Sequence, residues 1–312
     1  MKILITGTTG FVGMALTEKV SSKYETITVA RKENALLPKH IEQILSSNIV
    51  EEEIPKDLDV IIHLAGRAHI LNDQLVDPLT EFRKVNVDGS LRLAQQALEK
   101  KVKRFIFMSS IGVNGSITLD KPFTEDDQPQ PHADYALSKL EAEQELKQLF
   151  AGSETELVII RPPLVYAAHA PGNFARLLKL VAIDLPLPFA ATYNKRSFVA
   201  LENLVDFISI CIEHPNAANQ TFLVADQKSI STRELVQYLK KGMGKTAHFI
   251  YVPQSVMKLG AICIGKSKLY EQLFESLEVD THKARDLLDW TAPLSTQKAM
   301  LKVGQHYLKM KE

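Results

Sequence analysis

A tight glycine turn joins a short apolar run to a helix-like stretch within the first 21 residues. Residues 2–6 are apolar enough to form a buried strand, and Gly7-Thr8-Thr9-Gly10-Phe11-Val12-Gly13 follows them directly. Residues 12–21 then carry the pattern of a helix. A strand that passes through such a turn into a helix is the start of a βαβ unit, so the sequence predicts a parallel sheet.

The same turn predicts a dinucleotide site. Gly7 permits the tight turn, Gly10 lets a pyrophosphate approach the backbone, and Gly13 lets the helix pack close to the strand. The N–H groups at the start of the helix would face the phosphates. We therefore expect Phe11 and Val12 to contact the cofactor as well. The alternative to a dinucleotide site is an ordinary glycine turn without a ligand.

Short apolar runs alternate with helix-like stretches beyond this unit. A strand buried on both faces has this composition, and the alternation implies right-handed crossovers. The sequence predicts a Rossmann-like, doubly wound α/β fold over residues 1–165. The further strands are predicted at 26–30, 60–64, 105–108 and 157–160, and the further helices at 91–101 and 136–149.

The pattern changes after residue 163, where prolines at 171, 186 and 188 interrupt it. Residues 166–312 are predicted to form a smaller substrate-binding lobe that begins with a helix at 174–181. Residues 197–212 are predicted to return to the main sheet as a strand and a helix, so that the two lobes interleave. No internal repeat or low-complexity linker divides the chain, which favours one compact unit.

Composition excludes several classes of protein. Hydrophobic residues make up 45% and charged residues 24%, as in an ordinary globular protein, and 37 basic residues balance 37 acidic ones. A neutral chain has no field to draw it onto nucleic acid. Cys211 and Cys263 have neither metal-ligand nor disulfide-scaffold spacing, so no metal site is expected and a reducing cytoplasm is favoured.

The longest apolar segment after these runs is residues 259–265, which Lys258, Lys266 and Lys268 flank. It is too short to span a membrane. We predict a core helix here, with a helix on a membrane surface as the alternative.

The end of the second predicted strand informs the choice of cofactor. An acidic residue that would bind the ribose 2'-hydroxyl of NAD is absent from Thr28-Val29-Ala30-Arg31-Lys32. Arg31 instead favours NADP, because a guanidinium pairs with a 2'-phosphate; a solvated surface arginine is the alternative. Leu64, Ala65 and Gly66 lie at the end of another predicted strand, where small residues would let the cofactor approach the backbone. His63 is predicted to be packed in the structure.

Three side chains are candidates for catalysis. Ser110 follows a buried strand at the edge where open α/β sheets bind ligands, while Ser109 is expected to face the structure. Tyr135 and Lys139 share one face of a helix. The pKa of the tyrosine must fall by roughly 3 units, about 4 kcal/mol, for proton exchange near pH 7, and Lys139 with the nicotinamide cation would lower it.

These motifs together resemble the extended short-chain dehydrogenase/reductases, and in particular the UDP-glucose 4-epimerase-like proteins of the NAD-dependent epimerase/dehydratase family. The resemblance covers nearly the whole chain. The sequence departs from the family pattern at two places: Tyr166-Ala167-Ala168 replaces a glycine-proline turn, and residues 196–200 lack the usual Asp and His. The motifs are the glycine turn, residues 85–89, 107–115, 135–139, 160–163 and 283–290.

The resemblance implies that Ser110, Tyr135 and Lys139 are catalytic, with Ser110 also binding substrate. Asn86 is implied to support the active-site helix, and Asn86 and Pro162, like Tyr135 and Lys139, are predicted to line the cofactor site. Asn173 and Arg196 are implied to grip the nucleotide diphosphate, with a loop cap and a surface arginine as alternatives.

The implied activity is hydride transfer at C4 of a UDP-hexose or UDP-N-acetylhexosamine, by a 4-keto reductase or a 4-epimerase for surface-polysaccharide synthesis. A 4-epimerase acting on a lipid-linked sugar and a non-catalytic dinucleotide sensor are the alternatives. The helices that contain Leu91 and Leu140 are implied to pair between subunits in a homodimer.

Overall fold

The computed structural model describes residues 1–46, 53–68 and 77–311. The strands of this part are β1 (Lys2–Thr6), β2 (Glu25–Ala30), β3 (Glu42–Leu45), β4 (Val60–His63), β5 (Arg104–Met108), β6 (Glu156–Arg161), β7 (Leu164–Tyr166), β8 (Phe198–Ala200) and β9 (Gln220–Leu223). The α-helices are α1 (Phe11–Val20), α2 (Pro78–Arg83), α3 (Gly89–Glu99), α4 (Asp134–Phe150), α5 (Gly172–Ala182), α6 (Leu201–Glu213), α7 (Thr232–Gly242), α8 (Gln254–Cys263), α9 (Ser267–Phe274), α10 (His282–Leu288) and α11 (Thr296–Lys309). A π-helical turn, Lys84–Asp88, joins α2 to α3.

The main sheet has seven parallel strands in the order β3-β2-β1-β4-β5-β6-β9. The chain moves outward from β1 to β3 and then returns to the other side of β1 with β4. The connections therefore leave β1 and β4 in opposite directions, which opens a crevice at the carboxyl ends of these two strands. Thr6 pairs with His63 at this edge. The predicted Rossmann-like doubly wound fold is confirmed.

The strands of the sheet bury side chains on both faces. Ile3 and Ile5 belong to one core with α1 and α6, whereas Leu4 points to a second core with α3 and α4. All three side chains are fully buried. This burial explains why the strands are continuous apolar runs with no polar alternation.

The smaller lobe is built around a separate core. β7 and β8 form a two-stranded parallel sheet, and α5, α7 and α11 pack beside it. α7 and α11 approach closely because glycines face each other: a Cβ on Gly242 would lie 2.2 Å from the carbonyl oxygen of Leu301, and one on Gly304 would lie 2.3 Å from that of Leu239. A larger residue at either glycine would push the two helices apart.

Residues 197–212 depart in part from their prediction. Their helix, α6, packs on the main sheet through residues such as Phe207 and Ile208. Their strand, β8, pairs with β7 and does not join the main sheet, so this part of the prediction is wrong. β9 completes the main sheet instead, after the chain has passed through the smaller lobe, and the predicted interleaving is confirmed.

The segment 259–265 is not a core helix. It lies at the end of α8, which has no buried residue, and Cys263 is exposed. The prediction of a core helix is therefore wrong. Within the described ranges, every helix falls short of the length and apolarity that a membrane span requires.

Candidate active site

The glycine turn lies between β1 and α1, and two of its glycines pack directly against neighbouring backbone. Gly7 has a φ of +75°, and a Cβ there would lie 2.7 Å from the backbone nitrogen of Ala65. A Cβ on Gly13 would lie 2.1 Å from the carbonyl oxygen of Gly7. Only glycine fits at these two positions, as the sequence predicted from the turn.

The start of α1 fits a phosphate. Its N-cap residue is Gly10, so no side chain accepts hydrogen bonds from the first N–H groups of the helix. Thr8 lies in the same turn, and its Oγ1 is buried without a hydrogen-bond partner in the described part of the chain. These unused donors fit the pyrophosphate of a dinucleotide, and Phe11 and Val12 lie in the first turn of the helix beside them.

Polar contacts hold the end of β4 in place. The imidazole of His63 lies 2.7 Å from Thr6 Oγ1 and 3.0 Å from Ser90 Oγ. Because Ser90 donates its hydroxyl to the carbonyl of Asn86 at 2.7 Å, it accepts from Nε2 of the imidazole. Burial lowers the pKa of His63 to about 3, with Lys139 as a second cause. His63 is thus a packed, neutral residue, as predicted.

Leu64, Ala65 and Gly66 continue from β4 along the crevice. Leu64 and Ala65 are partly buried and Gly66 is exposed. A Cβ on Gly66 would lie 3.1 Å from Asn86 Oδ1 and 3.3 Å from Lys139 Nζ. The small residues predicted for cofactor contact therefore lie directly against the candidate catalytic lysine.

Asn86 connects this segment to α4. Its Oδ1 accepts a hydrogen bond from the N–H of Arg67 at 2.8 Å, and its Nδ2 donates to Ser138 Oγ at 3.0 Å. Asn86 is fully buried in the π-helical turn. The predicted contact between Asn86 and the active-site helix is present.

Ser110 lies beside the start of α4. Its Oγ accepts a hydrogen bond from the N–H of Gly112 at 3.1 Å. A Cβ on Gly112 would lie 3.1 Å from the Cβ of Ala136 and 3.4 Å from Ser110 Oγ, so the serine and the first turn of α4 meet at one point. The adjacent N–H of Ile111 donates to the carbonyl of Pro162 at 3.0 Å, which places Pro162 against the same turn.

Lys139 is buried and points back at the sheet. Its Nζ donates to the carbonyl of Met108 at 2.9 Å and lies 4.5 Å from the centre of the Phe107 ring. Burial lowers the pKa of Lys139 to about 8, and the charge of Glu143 opposes this shift. Burial therefore makes the ammonium form less stable here than in water.

Tyr135 lies one turn before Lys139 on α4, and its ring centre lies 6.1 Å from that of Phe82 in a T-shaped contact. Burial raises the pKa of the phenol to about 12. The sequence argument required the opposite direction. Burial is the cause of this shift, and the Lys139 ammonium donates to the Met108 carbonyl.

The two residues predicted to hold a diphosphate both contact α9. Asn173 Nδ2 donates to Gln272 Oε1 at 2.7 Å. Arg196 Nη1 donates to the carbonyls of Glu271 at 3.3 Å and Glu275 at 2.9 Å, at the end of the helix. Burial lowers the pKa of Arg196 to about 10. Nη2 and Nε of Arg196 bond to no described residue, which leaves one side of the guanidinium for a ligand.

Comparison with known proteins agrees with this geometry. A model of the NAD dependent epimerase/dehydratase family matches residues 3–225. UDP-glucose 4-epimerase from Vibrio cholerae is 42% identical to the chain, over 98% of the chain and 95% of that protein. The chain belongs to the NAD-dependent epimerase/dehydratase family.

The chain is also similar to a second epimerase in sequence and to a solved epimerase structure. A 4-epimerase from Escherichia coli O157:H7, named for N-acetyl-alpha-D-glucosaminyl-diphospho-ditrans,octacis-undecaprenol, is 27% identical over 84% of the chain and 78% of that protein. The crystal structure of UDP-glucose 4-epimerase from Thermotoga maritima with UDP-glucose has a TM-score of 0.78 at 20% identity and covers 100% of both chains. The fold of that epimerase therefore extends over the whole chain.

The sequence analysis missed a buried ion pair behind the candidate active site of this epimerase/dehydratase family member. Arg161 on β6 donates to both carboxylate oxygens of Glu143 on α4, at 2.9 and 2.5 Å, and to Asn114 Oδ1 at 2.9 Å. Ser109 donates its hydroxyl to the same carboxylate, so it faces the structure as predicted. Glu143 lies one turn after Lys139 on one helix face, and this spacing was the only signal of its position.

Two predicted residues lie at the edges of the site. Arg31 is exposed just after β2, at the edge where the main sheet opens. Phe11 contacts the first core and the core of the smaller lobe, and its ring centre lies 5.1 Å from that of His169. His169 was not predicted, because it follows the Tyr166-Ala167-Ala168 departure from the family pattern.

Proposed function

We propose that the chain is a 4-epimerase of a UDP-hexose or UDP-N-acetylhexosamine that transfers a hydride at C4 of the sugar. One observation carries the proposal: Ser110 lies against the first turn of α4, the helix that contains Tyr135 and Lys139. This contact lies at the same edge of the sheet as the glycine turn. The similarity to Vibrio cholerae UDP-glucose 4-epimerase supports epimerisation over 4-keto reduction.

In this proposal each lobe has one task. Residues 1–165 hold the dinucleotide, with Gly7, Gly10 and Gly13 next to its phosphates. Residues 166–312 supply most of the contacts with the nucleotide part of the substrate. Asn173 and Arg196 bind the diphosphate, because the free side of the Arg196 guanidinium can pair with two phosphate oxygens.

Side chains of the protein transfer the proton of the C4 hydroxyl in this proposal. Ser110 holds the oxygen on C4, and Tyr135 takes the proton of this hydroxyl when the alcohol is oxidised and returns it when the ketone is reduced. When bound, a nicotinamide cofactor would supply the chemistry of hydride acceptance and return. Lys139, one turn further along α4, is the cation that would stabilise the phenolate, and in this proposal it does so once cofactor and substrate are bound.

The cofactor is proposed to be NAD or NADP, with NADP favoured by Arg31. The family is named as NAD dependent, which supports NAD. Arg31 is exposed at the end of β2 and could approach a 2'-phosphate from solvent, where a carboxylate would repel it. The functional assay below therefore uses both cofactors.

Action on a lipid-linked sugar is a second candidate, and the position of α8 favours it. α8 is unburied and packs against α9, the helix that Asn173 and Arg196 contact. A lipid chain leaving the diphosphate would therefore have an exposed apolar surface nearby. The 27% identical Escherichia coli relative is named for such a substrate.

The test is an assay of purified wild-type protein and the variant Tyr135→Phe. UDP-glucose and UDP-N-acetylglucosamine are each incubated with NAD or NADP, and formation of the C4 epimer is followed by chromatography. A parallel arm supplies a UDP-4-keto-6-deoxy-hexosamine with NADH or NADPH and follows loss of reduced-cofactor absorbance. We expect epimer formation by the wild type and a loss of at least about 1,000-fold in Tyr135→Phe, with cofactor binding retained.

Tyr307→Phe is the matched control. Tyr307 and Lys311 repeat the spacing of the candidate pair, and the Tyr307 hydroxyl is buried without a hydrogen-bond partner in the described structure, so its removal should leave turnover unchanged. Turnover only in the ketone arm would make the protein a reductase. Unchanged turnover in Tyr135→Phe would overturn the mechanism, and cofactor binding without turnover in either arm would favour a sensor.

A further inference from the structure

The outer side of α8 is an apolar surface that no described part of the chain covers. Its large side chains have 46–72% of their area exposed, more than is usual for so many apolar residues in one segment. Together with exposed apolar residues just before and after the helix it forms what we call the α8 surface, which consists of Tyr251, Val256, Leu259, Ile262, Ile264 and Leu269.

The opposite side of the helix is fixed to the protein. Met257 and Ala261 are partly buried and pack against the core of the smaller lobe. They lie four residues apart and therefore on one face, whereas Leu259 and Ile262 lie on the other. The helix is thus anchored from below, and substitutions on its outer side would not disturb the core.

Charge is strongly segregated around this helix. The whole chain is neutral, yet residues 235–270 contain six lysines and neither aspartate nor glutamate. Lys240 and Lys245 pair with Asp184 elsewhere on the lobe. Lys258, Lys266 and Lys268 are exposed and make no ion pair in the described structure, so the α8 surface is bordered by unpaired positive charge.

We propose that the α8 surface docks the protein on an anionic lipid bilayer. A short helix with an exposed apolar side and flanking lysines has the composition of an interfacial helix, which buries apolar side chains among the lipids and pairs lysines with acidic headgroups. A second copy of the chain fits less well, because a twofold contact would place this patch of lysines against itself. The proposal does not rest on the C4 chemistry.

The experiment is flotation of the full-length protein with lipid vesicles. One set contains phosphatidylcholine with phosphatidylglycerol, and a second set contains phosphatidylcholine only. We expect binding to the anionic set that weakens as salt is raised, and at least tenfold weaker binding to the neutral set. Equal binding to both sets, or no binding to the anionic set, overturns the proposal.

Two variants test the two halves of the surface. Leu259→Asp/Ile262→Asp should abolish flotation, and Lys258→Gln/Lys266→Gln/Lys268→Gln should weaken it about 100-fold. The matched controls are Leu36→Asp, at an exposed leucine elsewhere, and Lys39→Gln/Lys103→Gln/Lys298→Gln, at exposed lysines elsewhere; both should float like the wild type.

Folding and assembly are measured on the same samples. Each variant should keep the circular dichroism spectrum and the vesicle-free sedimentation of the wild type. Flotation that persists in both α8 variants contradicts the proposal. A change in oligomeric state in Leu259→Asp/Ile262→Asp, without vesicle binding by the wild type, would assign the α8 surface to a second copy. Because no substrate is present, failure here leaves the proposed function unaffected.

Discussion

Lys139 keeps only 3% of its surface exposed, yet its side chain ends in a titratable amine. The Met108 carbonyl and the Phe107 ring stabilise the ammonium, but they do not replace the water that burial removes. The result is the lowered pKa of about 8. The burial that lowers the pKa of Lys139 therefore also lowers the free energy of unfolding of the protein.

Replacing Lys139 by methionine should show this cost. Below pH 8 Lys139 is protonated in both the folded and the unfolded chain, so the full cost of burying the ammonium lowers the stability of the wild type. Between pH 8 and 10.5 the folded chain has lost the proton that the unfolded chain keeps, so wild-type stability rises. We expect Lys139→Met to raise the free energy of unfolding by about 2 kcal/mol at pH 7, after the lost hydrogen bond to Met108 is subtracted.

Urea denaturation at a series of pH values measures the difference. It should shrink as pH rises through the window from 8 to 10.5. The control is Lys103→Met at an exposed position, which should change stability little at any pH. A Lys139→Met protein that is less stable than the wild type at pH 7 would contradict the prediction.

Sequence reasoning at the residue scale succeeded where local chain geometry decides the outcome. Gly7 and Gly13 were predictable because a turn between a strand and a helix permits only glycine there. The direction of the Tyr135 pKa shift was not, because it depends on burial by residues distant in sequence. Thr8 was missed for the same reason: its unpartnered hydroxyl becomes visible only when its surroundings are known.

At the scale of elements, a buried ion pair connects α4 to the sheet. Glu143 and Arg161 keep 1% and 4% of their side-chain surfaces exposed and connect α4 to β6. Ser109 at the end of β5 bonds to the same carboxylate. This arrangement sets the distance between the helix that carries Tyr135 and the strand that leads to Ser110.

Arg161→Met should therefore destabilise the protein strongly. It leaves the Glu143 carboxylate buried and unpaired, and we expect a loss of about 3–5 kcal/mol in the free energy of unfolding at pH 7. Glu143→Gln/Arg161→Met should recover most of this loss. The exposed pair of Lys302 and Glu202 provides the control, since Lys302→Met should cost less than about 1 kcal/mol. Equal losses in the single and the double variant would show that packing, not charge, is responsible.

Sequence patterns predicted β1, β2, β4, β5 and β6, which are the continuous apolar runs of the main sheet, but gave no bounds for β3 and β9 of that sheet or for β7 of the smaller one. β3 has the sequence Glu-Gln-Ile-Leu, and its side chains are partly or fully exposed at the sheet edge. β7 has three residues and follows two prolines. The error at 259–265 has a different origin: apolar composition shows that a helix can be buried, but not whether another part of the chain covers it.

At the scale of the whole molecule, the predicted homodimer depends on the outer faces of α3 and α4. Leu91 and Leu140 are partly exposed there, and Arg83 forms a two-point ion pair with Glu141 beside them. We expect the wild type to sediment as a dimer and Leu91→Arg/Leu140→Arg to sediment as a monomer, because four buried arginines would face each other across a twofold axis.

Sedimentation velocity over a range of protein concentrations checks this prediction. The control is Leu36→Arg, at an exposed leucine after β2, which should leave the dimer intact. A monomeric wild type at all concentrations would disprove the pairing of α3 and α4. The sequence suggested this pairing only through the family resemblance.

The return of the chain to the main sheet at β9 limits how such a protein can be modified by recombination. α6 covers one face of the sheet and β9 protects its edge, and both are encoded after the first strand of the smaller lobe. A gene cut once after β6 would therefore yield a fragment with an uncovered face and an open edge. Transplanting the smaller lobe from a relative would require three junctions, one after β6 and one on each side of the segment that contains α6 and β9.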